Sequence, residues 1–127
     1  MEPHPVRALV AGHGTFAAGI ISAVDQITGL GGLFVPFSNA DLGASDIRTR
    51  IADALDRTGA RVVFTDLPAG SCTMAMRRLV RERPGLVLVT GVNVPLLLDF
   101  AMQAAEPAEA VRAAVERART AMAVHEG

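Results

Sequence analysis

Two apolar runs of this chain end on residues that can do chemistry together. LVAGHGTFAAGII, at positions 9–21, carries His13 between Gly12 and Gly14, and FTDLPAGSC, at 64–72, carries Asp66 ahead of Ala69, Gly70 and Ser71. A third stretch, GVNVPLLL at 91–98, brings Gly91, Asn93 and Pro95. A carboxylate beside an imidazole accepts the proton on one ring nitrogen. That fixes the tautomer, leaves the other nitrogen's lone pair free, and stabilises the cation formed when that nitrogen is protonated or substituted. The imidazole is then a usable nucleophile. The small residues at 12 and 14 let a bulky electrophile approach, and helices starting near Thr15 and Ser71 present unpaired backbone N–H groups to an anion. A phosphoryl group suits that environment.

The same residues admit plainer roles. A histidine in a strand-to-helix loop is often a turn residue or a local hydrogen-bond donor, and an aspartate at a strand end commonly caps the following turn. Ser71 fits a helix N-cap better than a nucleophile, because no G-x-S-x-G elbow surrounds it. Cys72 reads as a small, semi-buried filler. His4 and His125 fall near the chain ends, where solvation is the expectation. Arg77, Arg78, Arg81 and Arg83 form a basic helix face, ordinarily wet surface but able to touch a partner protein or phosphate. Three histidines and one cysteine without ligand spacing argue against a metal site.

These residues need elements to bring them together. PVRALVA at 5–11, GGLFVPF at 31–37, ARVVFTD at 60–66 and GLVLVTG at 85–91 are short aliphatic runs bounded by glycine, proline or turn residues, and they predict about four buried strands. Between them the periodicity is helical. Phe16, Ile20, Ile21, Val24 and Ile27 recur at spacings of three and four, as do Ile47, Ile51, Ala54 and Leu55. Ser45 is the expected N-cap of the second helix and Gly59 its terminator. A third helix is expected from about Thr73 to Arg83, stopping before Pro84. A short apolar helix follows Pro95. A terminal helix then carries Glu109, Arg112, Glu116 and Arg119 on one wetted stripe, and residues 121–124 are either its last turn or a short edge strand.

Strands alternating with helices, each strand apolar on both faces, predict an α/β fold. It is a three-layer α/β/α arrangement around a doubly wound, mainly parallel sheet with right-handed crossovers. In a sheet ordered 2-1-3-4 the first and third strands are neighbours, and ligands bind beyond their carboxyl ends, where the order reverses. His13 then comes close to Asp66.

Length and charge narrow the function. The 127 residues suit one domain, 1–127, and half of them are hydrophobic, enough for a real core. A net charge of −1 gives no footprint for nucleic acid and no basic arm for anionic lipid. All the basic side chains other than histidine are arginine, so no Schiff-base or phosphate-loop lysine is available. With a single cysteine, no leader-like start and no apolar stretch near the roughly 18 residues of a membrane span, a cytoplasmic protein without membrane insertion is expected.

The three stretches LVAGHG, FTDLPAGSC and GVNVPLLL, in this order and each at a strand end, resemble the IIA domain of the mannose-type sugar phosphotransferase system over nearly the whole chain. The resemblance implies a cytoplasmic phosphotransferase component in which His13 is phosphorylated on the ring nitrogen remote from Asp66. It places Ser71 and the backbone of Ala69 and Gly70 beside the phosphoryl group, with Asn93 and Pro95 bordering the site; Gly14 and Thr15, at the helix start after His13, are expected phosphoryl-binding residues from their position alone. It implies HPr as phosphoryl donor and a separate IIB component as acceptor for sugar uptake, with no metal or other cofactor. It also implies a homodimer with an exchanged C-terminal strand, for which residues 121–124 are the candidate. The family pattern D-L-x-G-G-S-P is altered here. Ala69 replaces the first glycine, adding a Cβ that restricts the backbone around the phosphate, and Cys72 replaces the proline. Two other functions draw on the same residues: a phosphorylation-sensing interaction module without a transport role, and a hydrolase using Ser71, His13 and Asp66.

Overall fold

The computed structural model of the chain describes residues 5–127, so His4 lies outside the described residues. Strand β1 (Ala8–Gly12) leads through helix α1 (Phe16–Thr28) and a single 3-10 turn (Gly31–Leu33) into β2 (Phe34–Ser38). Helix α2 (Ala44–Thr58), β3 (Val62–Thr65), α3 (Ser71–Glu82) and β4 (Val87–Val89) follow, and α4 (Val94–Met102) and α5 (Pro107–Ala118) close the chain. All pairings are parallel and the strand order is β2-β1-β3-β4, the predicted 2-1-3-4.

Period-2 alternation in the central strands builds the three layers. Ala8 and Val10 of β1, with Val62 and Phe64 of β3, face α1, α4 and α5, where they pack with Val24, Leu97, Phe100 and Val111. Leu9 and Ala11, with Val63, face α2 and α3 and meet Ile47, Ile51, Met76 and Leu79. Phe34, Phe64 and Phe100 form an aromatic cluster with centroids 5.2–6.4 Å apart. Pro36 is tolerated in β2 because that strand is an edge.

Several boundaries differ from the sequence expectation, each for a local reason. Residues 31–33 turn rather than extend, because the Asp25 carboxylate accepts from Gly31 N at 3.0 Å and Leu33 N closes on the Leu30 carbonyl. Gly43, not Ser45, is the N-cap of α2, which puts Ser45 and Asp46 inside its first turn; Gly59 ends the helix in the left-handed region (φ +73°) as expected. Helix α3 begins at Ser71, with Gly70 as N-cap. Ile27 is 64% exposed, the inward line of α1 being Ala17, Ile20 and Val24. Residues 121–127 adopt no regular structure and are exposed, so 121–124 are neither a last helical turn nor a strand of this chain's own sheet.

Helices α4 and α5 are clamped by Asp99 and Arg117. Arg117 Nη2 donates to Asp99 Oδ1 at 2.6 Å, Nε donates to Oδ2, and Gln103 Nε2 reaches Oδ1 at 2.8 Å. The Arg117 hydrogen bond outweighs burial and, aided by Gln103 and the Arg117 charge, holds the Asp99 carboxyl at about 2 against an ordinary 3.8. As pH falls through 3.8 the unfolded chain takes up a proton that the folded chain refuses, so the stabilisation is full above that value and lost toward about 2. Asp99→Asn should lower the melting temperature at neutral pH by a few degrees, with the gap to wild type closing toward pH 2 in a thermal-melt series; a gap independent of pH would contradict the clamp.

Candidate active site

The site forms where the strand order reverses. Ala11 stands opposite Thr65 in the parallel register, so His13 and Asp66 leave adjacent strands at nearly the same level. The Asp66 carboxylate lies across the end of β1, and a single oxygen, Oδ2, accepts from the His13 backbone N at 2.9 Å and pairs with His13 Nδ1 at 2.8 Å. Its side chain is 12% exposed and that of His13 is 50% exposed. Burial raises the Asp66 pKa, but the hydrogen bonds from the His13 ring and backbone outweigh it, and the carboxyl titrates below its ordinary value. An ionised carboxylate assigns the Nδ1 proton to the shared bond, and Nε2 has no protein hydrogen-bond partner among the described residues.

Glycine is required twice here. A Cβ on Gly12 would lie 2.9 Å from both Asp66 Cγ and Oδ2 and 2.9 Å from Phe16 Cδ2, so any larger residue displaces the carboxylate. Gly70 has φ +122°, and a Cβ there would stand 3.2 Å from His13 Cε1, where the loop passes the ring.

The loop carrying Asp66 is held from within. Thr65 and Thr73 are buried, their hydroxyls lie 2.7 Å apart, and Thr73 Oγ1 donates to the Leu67 carbonyl at 2.6 Å. This brings the first turn of α3 back under the loop. The first bond there runs from Met74 N to the Gly70 carbonyl, leaving the N–H groups of Ser71, Cys72 and Thr73 ahead of the helical ladder. Ser71 is the first residue of α3, and its Oγ accepts from Asn39 Nδ2 at 2.7 Å. No hydrogen bond joins the Ser71 hydroxyl to Nε2 of His13 among the described residues, so the Ser-His-Asp relay of a hydrolase is not formed.

Gly14 adopts φ +52° and Thr15 occupies the N-cap position of α1 without a side-chain cap bond, both exposed beside His13. Ala69 is exposed on the loop and has no positive φ, Asp41 being the one non-glycine residue with that conformation among those described, so its Cβ is accommodated. Asn93 serves the helices instead of the site. Its Oδ1 accepts from Leu96 N at 2.9 Å, capping α4, and its Nδ2 donates to the Ala118 carbonyl at 3.2 Å. Pro95 sits exposed in the first turn of α4. Neither residue hydrogen-bonds the His13–Asp66 pair. Asn39 is the site residue that sequence reasoning misses; the rule about strand carboxyl ends, extended to β2, points to it.

Cys72 lies behind this loop, 1% exposed. Burial, reinforced by the Asp66 charge, pushes its thiol up to about 11. The chain belongs to the family of the PTS system fructose IIA component, whose model matches residues 7–118. It is a IIA component of a sugar phosphotransferase system. Solved structures share its fold. The mannose/sorbose specific IIA subunit of the phosphotransferase system from Enterococcus faecalis is 17% identical, with a TM-score of 0.81 over 98% of this chain and 97% of that one. Component EIIA from Streptococcus agalactiae is 20% identical, with a TM-score of 0.74 over 89% and 94%. The PTS IIA protein associated with the fucose utilization operon of Streptococcus pneumoniae is 21% identical, with a TM-score of 0.72 over 92% and 93%. No curated protein matches the chain. Among the described residues no helix is long and apolar enough to cross a membrane.

Two outcomes follow from the geometry. Gly12→Ala should cost about 1–3 kcal/mol in urea denaturation, because the added methyl must push Asp66 or Phe16 aside; an unchanged midpoint would show that the carboxylate has room. Cys72 should resist a thiol-reactive disulfide reagent at pH 8 in the folded protein and react at once on unfolding, and rapid labelling of the native state would contradict the burial described.

Proposed function

We propose that His13 carries a phosphoryl group between HPr and a IIB component of the transporter. The observation that supports this most is the pairing of His13 Nδ1 with the largely covered carboxylate of Asp66 while Nε2 stays unpartnered on a half-exposed ring. In the forward step the Nε2 lone pair attacks the phosphorus of phosphohistidine on HPr. A new N–P bond forms as the old one breaks, and the departing electron pair returns to the HPr imidazole. The Nδ1 proton stays in the bond to Asp66, which balances the positive charge that phosphorylation places on the ring. Charge is spread over the three phosphoryl oxygens in the transition state, and the N–H groups at the start of α3, the Ser71 hydroxyl and the start of α1 after Gly14 and Thr15 are the donors suited to them. Attack by a nitrogen of IIB reverses these roles, and no metal or cofactor enters either step.

The groove between α2 and α3 starts at Ser71 and is lined by Arg48, Met74, Arg78 and Arg81, a mixed basic and apolar surface suited to a docking protein. In this reading the chain works in the cytoplasm, where HPr and IIB meet it. The exposed residues 121–124 pair with the open edge of β4 in a second copy, giving the homodimer.

Incubation with phosphoenolpyruvate, Enzyme I and HPr should produce an acid-labile, base-stable label on the wild-type protein and none on folded His13→Ala. Equal labelling of that variant would remove His13 from the role. Asp66→Asn should slow labelling by roughly 100-fold, since an amide neither fixes the tautomer by accepting from Nδ1 with full charge nor balances the phosphorylated ring. A normal rate would separate the carboxylate from the chemistry. Reconstituted sugar phosphorylation with the cognate IIB and membrane components distinguishes a carrier, which is required, from a sensing module, which is not.

A further inference from the structure

Asn39 follows the last residue of β2, on the opposite side of β1 from Asp66. Its backbone is fixed on both sides: its N–H donates to the Gly12 carbonyl at 3.1 Å, and its carbonyl accepts from Leu42 N at 3.2 Å. From this anchored position the half-buried side chain reaches the first residue of α3, where Nδ2 donates to Ser71 Oγ at 2.7 Å. Asn39 thus bonds both to the end of the strand that carries His13 and to the helix start that faces the site. We infer that Asn39 is a positioning residue that turns the hydroxyl hydrogen of Ser71 toward the phosphoryl group on His13, an inference that rests on the carrier reading above.

Hydrogen-bond polarity sets this orientation. A serine hydroxyl has one hydrogen and two acceptor lone pairs. When a lone pair receives the Asn39 amide hydrogen, the hydroxyl hydrogen is not spent on Asn39 and is free to be donated. A phosphoryl group offers acceptors and no donors at its transferring oxygens, so a hydroxyl already held in donor orientation meets it without reorganising. Without Asn39 the hydroxyl rotates freely, and part of that orientation must be recovered during the transfer itself. Asn39 does not touch the phosphoryl group, so its effect passes entirely through Ser71.

Single-turnover transfer from phospho-HPr tests this in a double-mutant cycle. Asn39→Ala should slow the transfer step about tenfold while leaving the KM for phospho-HPr unchanged. Ser71→Ala should slow it at least as much, and the double variant should be no slower than Ser71→Ala alone. Asn39→Asp keeps the shape of the side chain but accepts only, so it takes the serine hydrogen for itself. It should be slower still than Asn39→Ala, and it provides the readout if the alanine variant does not fold. Wild-type rates in either Asn39 variant, or losses from Asn39→Ala and Ser71→Ala that simply multiply, would overturn the inference and reduce Asn39 to a brace for the strand end. The wild-type protein run in parallel separates the two readings. If it takes no acid-labile label, the carrier reading fails and this inference with it; if it labels normally and the Asn39 variants do too, the role of Asn39 alone fails.

Discussion

The parallel register that sets Ala11 opposite Thr65 decides where His13 and Asp66 stand. It brings two loops off adjacent strand ends at the same height, one starting with Gly12 and His13 and the other with Asp66. Side chains alternate along a strand, so a slip of one residue would turn Asp66 to the other side of the sheet and leave His13 without a partner. The register is secured below the site by strands whose residues are buried on both faces, Leu9 and Val63 toward α2 and α3, Val10 and Phe64 toward α1 and α4. Slippage would move apolar groups out of both cores at once, which is why the core and the site cannot be considered separately.

Above the sheet, small residues and buried hydroxyls take over. Gly12 leaves the space through which the carboxylate reaches the ring, and Gly70 lets the following loop pass His13 Cε1. The Thr65–Thr73–Leu67 network then fixes the loop from inside, replacing the backbone ladder that ends with β3. A carboxylate that accepts from both the backbone and the ring of one histidine has little freedom left, so the imidazole is oriented before any partner arrives. Half of the histidine side chain remains open to solvent.

The sheet order and the His13–Asp66 pair are legible in the sequence because each depends on strong, local signals. Short apolar runs alternate with helical periods, and the ends of neighbouring parallel strands must meet. Boundaries are less legible where a single hydrogen bond or cap decides them, as with Asp25 turning residues 31–33 or Gly43 capping α2 in place of Ser45. Asn93 follows β4 and so reads as a site residue, but its amide is used to join α4 to α5, a tertiary contact with no trace in the local pattern. Asn39 escapes notice for the reverse reason. Its neighbours FVPFS announce only a strand, and its bond to Ser71 spans thirty-two positions of sequence.

The two departures from the D-L-x-G-G-S-P pattern then acquire a physical meaning. Ala69 sits on the loop without a positive φ, so this backbone does not draw on the freedom that glycine offers there; the left-handed requirement falls on Gly70, which is retained. Cys72 stands in the first turn of α3, where a proline would be compatible with helical geometry but would lack an N–H. With cysteine, the turn ahead of Met74 keeps three backbone N–H groups rather than two, and the added thiol is buried and held protonated, so it brings no competing nucleophile to the site. The cysteine therefore keeps a full set of N–H groups at the start of α3 and adds no exposed thiol beside His13. The chain departs from the pattern at one loop position and one first-turn position of α3, and its own geometry absorbs both changes.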